Sequence, residues 1–254
     1  MKNRPELIFP DWHAPDNVRG FSTTRGGGVS SRPYHGKTVS DGGFNLAMHV
    51  GDDSGSVEQN RNHLREWLPR EPLWLNQVHG SQVVQAGLAS GLPEADASFS
   101  TTPYAVCLVQ TADCLPVVFC DTAGRVVAAA HAGWRGLAEG ILEETLFCMR
   151  QAGAMEILAW MGPAIGPERF EVGEDVLEAF VAGDEYFAKY FRHQPDEQGK
   201  YLADIYALAR HILEKQDVSR VSGGNFCTVS DAARFYSYRR DGVTGRMATG
   251  IWLV

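Results

Sequence analysis

The chain has 254 residues, 44% hydrophobic and 21% charged, a composition that affords a sizeable globular core. Its formal charge of -8 argues against nucleic acid or an anionic membrane surface as the main partner. It leaves room for a small anion held by a local group of arginines.

The opening stretch, Met1 to Leu7, carries charge and no apolar h-region, so no secretory signal is expected. No run approaches the roughly 20 apolar residues of a membrane span. The cysteines Cys107, Cys114, Cys120, Cys148 and Cys227 are odd in number, form no Cys-x-x-Cys and lie mostly in apolar runs. That pattern suits reduced thiols in a cytoplasmic protein. No repeat, charge block or linker divides the sequence, so residues 1–254 read as one domain, with monomer and homodimer both open.

Taken in chain order, Thr24-Arg25-Gly26-Gly27-Gly28-Val29-Ser30 is glycine-rich. It lacks the Gly-x-Gly-x-x-Gly spacing, and no Lys-Ser/Thr pair follows to make a nucleotide loop. Ser56 to Leu68 reads as an amphipathic helix on which Val57, Arg61, Leu64 and Leu68 fall within about 60° of one another. Arg61 thus lies inside an apolar stripe. Such an arginine pairs with a buried carboxylate (Asp52 or Asp113), snorkels to the edge, or holds an anion.

Leu73 to Val78, Ala105 to Gln110, Leu115 to Cys120, Arg125 to Ala130 and Glu156 to Trp160 read as strands. Several are apolar nearly throughout, as strands covered on both faces are. Helical stripes appear at Leu137, Ile141, Leu142, Leu146 and Met149, at Val172, Val176, Leu177 and Phe180, and at Ile205, Leu208, Ile212 and Leu213. The short region around Cys114 reads as a hairpin, which makes the sheet mixed. The expected fold is a single three-layer α/β/α domain.

Three residues stand at the ends of these strand-like runs: His79 in Asn76-Gln77-Val78-His79-Gly80, Cys114 in Ala112-Asp113-Cys114-Leu115-Pro116, and His131 in His131-Ala132-Gly133-Trp134-Arg135-Gly136. Strand ends are where α/β proteins gather catalytic groups. Singly, each is more often a core residue than a ligand. Together, two imidazoles and a thiol leave a tetrahedral metal one open position. Asp113 beside Cys114 is expected to raise the thiol pKa, which disfavours a free thiolate, whereas a metal deprotonates the thiol outright. Ligand is therefore favoured over nucleophile. Gly133 and Gly136 let a ligand approach the backbone before a helix begins. Gly162-Pro163-Ala164-Ile165-Gly166-Pro167 is a second glycine-bearing loop and suggests a shared crevice. Near the end, Tyr238-Arg239-Arg240-Asp241-Gly242 and Gly245-Arg246-Met247 set basic residues beside aromatics, for which solvated surface charge is the default reading.

The segments Asn76–Gly80, Thr111–Pro116, His131–Gly136 and Gly162–Pro167 jointly resemble the YfiH family, also called the laccase-domain or polyphenol-oxidase-like family. The resemblance extends to Thr24–Ser30, to Asn45-Leu46 with His49-Val50-Gly51-Asp52-Asp53, and to Phe235-Tyr236-Ser237-Tyr238-Arg239-Arg240, so it covers almost the whole chain. The stretch from His35 to Gly43 departs from it, being longer than the family's usual connection before Asn45.

The resemblance implies an α/β/α domain with zinc held by His79, Cys114 and His131. It implies phosphorolysis of adenosine, inosine, guanosine or methylthioadenosine, and deamination of adenosine. Older family labels are copper-dependent phenol oxidase and peptidoglycan-editing factor, and the fold has been likened to cysteine hydrolases. Phosphorolysis needs an anion site, for which Arg61 is the first candidate and Arg25 and Arg239 follow. Trp134 is a candidate wall for the purine, and Asn45 and His49 are placed with the substrate. Deamination needs a metal-activated water and a proton-moving carboxylate, a role given to Asp113. Multicopper oxidation fits less well, because the chain has eight histidines and no His-x-His pair. Copper uptake by the same site in vitro stays open. A cysteine hydrolase would use Cys114 as nucleophile. A structural zinc module is the non-enzymatic alternative, weakened by the missing fourth ligand.

Overall fold

Hydrophobic runs too continuous for a half-solvated sheet become the central strands of the computed structural model, which describes residues 5–38 and 41–254. Met1–Arg4 of the opening stretch, and Val39 and Ser40 in the long connection before Asn45, lie outside the described residues. The strands are β1 (Leu7–Ile8), β2 (Val18–Thr23), β3 (Gly26–Ser30), β4 (Val83–Gln85), β5 (Ala97–Ser100), β6 (Cys107–Thr111), β7 (Leu115–Asp121), β8 (Val127–Ala132), β9 (Ile157–Met161), β10 (Glu171–Gly173), β11 (Phe191–His193), β12 (Lys200–Ala203), β13 (Arg220–Gly223) and β14 (Met247–Leu253). The α-helices are α1 (Ser54–Arg65), α2 (Trp134–Ala138), α3 (Ile141–Gln151), α4 (Glu174–Val181), α5 (Ile205–Lys215) and α6 (Tyr238–Asp241).

The chain is an α/β protein with a mixed sheet, as expected. Six strands run in the order β13-β9-β7-β8-β5-β4, with β13–β9 and β4–β5 parallel and the other pairs antiparallel. Every residue of β7, β8 and β9 is buried. One face packs Val117, Phe119, Ala128 and Ala130 against Leu137, Ile141, Leu146, Ile205 and Leu208 of the helices. The second face meets a sheet where a helical layer was expected. Val118, Cys120, Val127 and Trp160 pack on Val18, Cys107, Val109 and Ile251 of a four-stranded antiparallel sheet, β1-β2-β14-β6. Leu64 of α1 covers the far side of that sheet with Phe21, Leu108 and Ala248.

Two local departures matter for the site. The Cys114 region is no hairpin: β6 pairs with β14 and β7 with β8 and β9, so residues 112–114 carry the chain from one sheet to the other. Leu73 to Val78 is extended but joins no named strand, making isolated bridges at Leu73 and Asn76. The first helical stripe is split into α2 and α3 by Gly140, whose φ of 90° glycine adopts freely. Val172 belongs to β10 and not to the helix that follows it.

Candidate metal and substrate site

Cys114 sits at the crossover between the two sheets, where the backbone must turn sharply. Asp113 does the turning at φ 98°, a conformation that costs a non-glycine residue energy and is held here by its own side chain. Its carboxylate accepts from Thr228 Oγ1 (2.6 Å), Ser237 Oγ (3.1 Å) and the Arg239 backbone N–H (2.7 Å), while its carbonyl accepts from Ile165 N–H. With its donors so placed, Asp113 is a structural clamp on the crossover and not a free proton carrier, which corrects its expected role in deamination.

His79 also has a left-handed backbone, φ 64°. The clamp on this turn is Asp96, fully buried at the start of β5. Its carboxylate accepts from the backbone N–H groups of Val78 (3.1 Å), His79 (3.0 Å) and Gly80 (2.8 Å) and from His131 Nδ1 (2.7 Å). A carboxylate of depressed pKa can only accept, so Nδ1 of His131 carries a proton and Nε2 is left for a ligand. Burial works against ionisation of Asp96, but the His131 contact and these N–H groups outweigh it and hold its pKa below the usual value.

The donor atoms of His79, Cys114 and His131 all lie within 4.8 Å of one another, with Cys114 Sγ 3.8 Å from His79 Nε2. Gly133 makes that convergence sterically possible: a Cβ there would lie 2.9 Å from His79 Cδ2 and 3.2 Å from Cys114 Sγ. Burial pushes the Cys114 thiol up, yet the two imidazoles, His131 foremost, bring it down to about 6. Burial pushes His131 down, yet the thiolate and Asp96 raise it to about 9. The expectation that Asp113 would disfavour the thiolate is therefore overturned, because its carboxylate faces Thr228 and Ser237 and the imidazoles decide. Two imidazoles, an accessible thiolate, an oriented second nitrogen and space kept by a glycine fit a tetrahedral ion with one open position. Among the described residues it is the one His/Cys/Asp/Glu group so arranged. Among the described residues no histidine-rich cluster of the multicopper kind accompanies it.

A cleft of about 340 Å³ opens on one side of the triad, lined by His49, Gln77, Gln110, Thr111, Tyr238 and Arg246 with the triad itself. A second lobe, about 240 Å³, opens on the other side against Trp134, Ile165, Phe170, Ile205, Tyr238 and Arg239. His79, Ala112, Cys114 and Tyr238 line both. The two glycine-bearing loops do share this crevice, through Trp134 and Ile165. Burial and the charges of Arg246 and Arg61 lower the His49 pKa, so its imidazole is neutral at pH 7. Arg246 is anchored by Nη1 on the carbonyls of Thr244 and Gly245. Burial lowers its pKa too, but a guanidinium stays charged at neutral pH.

Of the expected substrate residues, His49, Trp134 and Arg239 reach the lobes and three others do not. Arg61 lies off the cleft, its guanidinium 3.6 Å above the Trp74 ring and its Nε on the Leu46 carbonyl. Stacking on an indole explains how an apolar stripe tolerates it. Arg25 is buried, its guanidinium spent on the carbonyls of His35 and Ala232 over the Tyr236 ring. Asn45 is fully buried, accepting from the N–H groups of Ala47 and Arg246 and donating to Asp52 Oδ2. It positions the Arg246 backbone and touches neither lobe. Asp96 and Gln110 went unassigned, and Tyr238 and Arg246, read by default as solvated surface, line the cleft. Asp96, a lone acid between Ala95 and Ala97, and Gln110, a lone amide ending an apolar run, left a signal that could have been read.

A family model described as multi-copper polyphenol oxidoreductase laccase matches residues 19–254. The chain belongs to this YfiH (laccase-domain) family. The purine nucleoside phosphorylase YfiH of Escherichia coli (strain K12) is 50% identical over 252 residues, 98% of this chain and 99% of that one. The purine nucleoside phosphorylase of Haemophilus influenzae is 47% identical over 249 residues, 97% of this chain and 99% of that one. Among solved structures, Neisseria meningitidis protein NMB0706 superposes with a TM-score of 0.89 at 47% identity, covering 97% of this chain and 98% of that one. Bacillus licheniformis hypothetical protein YfiH gives 0.88 at 25% identity, covering 100% and 98%.

Proposed function

We propose that this family member is a zinc-dependent purine nucleoside phosphorylase. It would take adenosine, inosine, guanosine or methylthioadenosine with phosphate to the free base and a pentose 1-phosphate. The observation that carries the reading is the position of the triad between two lobes, one walled by Trp134, Ile165, Phe170 and Tyr238 with Asp113, Arg135 and Arg239 also lining it, the other holding the half-buried Arg246 with neutral polar groups. The relatives' shared name supplies the reaction class.

In this reading the purine lies in the lobe with the aromatic walls, against Trp134, Tyr238, Ile165 and Phe170. Phosphate lies beside Arg246 and His49, and the ribose bridges the lobes past His79 and Cys114. A phosphate oxygen bonds to C1′ as the bond from C1′ to the purine nitrogen breaks; its electrons leave with the base, which takes a proton from water. Arg246 offsets the charge of the phosphate, and the walls hold the two reactants in line, the largest service such a site can render. His79, Cys114 and His131 would hold the metal, which when bound supplies Lewis-acid polarisation of an oxygen in its open position. Adenosine deamination belongs to the same proposal, with neutral His49 replacing Asp113 as the proton-moving group. Copper would load the same donors in vitro. The whole chain is proposed to work as one catalytic domain in the cytoplasm, where its five free thiols stay reduced.

One arrangement favours a second reading. The donor atoms of Cys114 and His131 lie within 4.8 Å of each other, Asp96 holds His131 Nδ1, and the imidazoles bring the thiol pKa down, an arrangement a metal-free cysteine hydrolase would use. Chromatography of adenosine and inosine incubated with metal-quantified protein separates the readings. Free base and pentose 1-phosphate appearing only with phosphate supports phosphorolysis. Unchanged nucleosides in both buffers would sink it, and turnover of amide or ester substrates by chelated protein would bring the hydrolase forward.

A further inference from the structure

We infer that Gln110 is a phosphate-binding residue, its side-chain Nε2 donating to an oxygen of the anion held by Arg246. The inference rests on the phosphorolysis reading and adds to it a residue that carries no charge and so escapes any search for cations. Gln110 is the penultimate residue of β6 and is 7% exposed. Its Nε2 is buried and has no hydrogen-bond partner. A buried donor without an acceptor is costly and uncommon in a native fold, and Gln110 lines the cleft beside the triad, where an anion can supply the acceptor.

The Gln110 backbone is fixed by a neighbouring amide. Its backbone N–H donates to Gln77 Oε1 (2.8 Å), and its carbonyl accepts from Gln77 Nε2 (2.9 Å). The Gln77 amide thus closes the pairing that a neighbouring strand would otherwise make. Gln110 and Arg246 line the same lobe with His49. Among the described residues, Arg246 is the one arginine or lysine lining that lobe, so an anion brought there by its charge meets the Gln110 amide as a neutral donor. Amide donors suit an oxyanion because they add directional bonds without a second buried charge to desolvate.

The test uses full-length, metal-loaded protein and two variants, Gln110→Leu and Gln110→Glu; the second keeps the side-chain shape while replacing the donor with an anion. Steady-state kinetics would give the KM for phosphate and for inosine separately, and titration calorimetry would give the affinity for inorganic phosphate alone. The expected result is a rise of roughly tenfold or more in both the phosphate KM and the phosphate dissociation constant, larger for Gln110→Glu, with the inosine KM within about twofold. A rise confined to the inosine KM, unchanged phosphate constants in both variants, or a wild-type protein that binds no phosphate would each overturn the inference. Failure of the underlying reading looks different: wild type would bind phosphate, and lose it on substitution, yet split no nucleoside.

Discussion

Asp96 and His131 are joined by a 2.7 Å hydrogen bond between two side chains almost wholly withdrawn from solvent. The same carboxylate gathers three consecutive backbone N–H groups at His79, so one residue sets the tautomer of one metal-ligand candidate and the turn that carries another. Asp96→Asn should weaken zinc retention by about 10- to 100-fold, read by competition with a chromogenic chelator. Asp96→Ala, which strands the buried donors as well, should cost about 3 kcal/mol or more of stability in denaturant unfolding. Metal affinity unchanged in Asp96→Asn would remove Asp96 from this role.

Gly133 should be intolerant for a reason unrelated to folding. Its φ of -63° suits any residue, so Gly133→Ala introduces no backbone strain, only a methyl group against His79 and Cys114. The variant should unfold near the wild-type temperature and carry little metal. Gly26→Ala, where an added Cβ meets nothing within 4 Å, is the control. Equal metal content in both variants would contradict the steric account.

The metal-free thiol should titrate early. Cys114 has its folded pKa lowered from 9.0 to about 6, so the stabilisation it brings is complete above the unfolded value and is lost as pH falls through about 6. His131 is raised from 6.5 to about 9, so its contribution is complete below 6.5 and lost as pH rises through about 9. The ion pair thus occupies the window between about pH 6 and pH 9. Alkylation of Cys114 in chelated protein, followed by peptide mass spectrometry, should reach half its plateau rate near pH 6. A midpoint near 9 would show that the imidazoles do not support the thiolate.

The two arginines should separate cleanly. Arg246→Met should raise the phosphate KM by an order of magnitude or more, since a charged phosphate contact is lost. Arg61→Ala should leave that KM within about twofold and lower stability by about 1 kcal/mol, the loss of a stacked cation over Trp74. If Arg61 proves the one that controls phosphate, the placement of phosphate beside Arg246 is contradicted.

What could be read from sequence followed the strength of the local signal. β7, β8 and β9 were legible because they are buried on both faces, and the α5 stripe because its apolar residues keep a helical period. Of the second sheet only β6 was legible, as Ala105 to Gln110: β2 carries Arg19 and Gly20, and β14 carries Thr249 and Gly250, which dilute the apolar pattern. Its pairing joins residues more than 200 positions apart, at Thr249 and Ser22, and no local pattern reports that. The grouping of His79, Cys114 and His131 was legible because ligand chemistry restricts residue type. Arg25, Asn45 and Arg61 were misplaced because a buried polar residue looks alike in sequence whether it serves a substrate or a loop. Only the partner decides, and the partners here are the carbonyls of His35 and Leu46, the Arg246 backbone and the ring of Trp74.

The measurement closest to the central claim is product analysis of inosine with phosphate, run on chelated protein, on the same sample after zinc is restored, and on Cys114→Ser. Hypoxanthine and ribose 1-phosphate should form in equal amounts with the zinc-restored protein alone, and not at all when phosphate is omitted. Equal turnover by the chelated protein or by Cys114→Ser would contradict this.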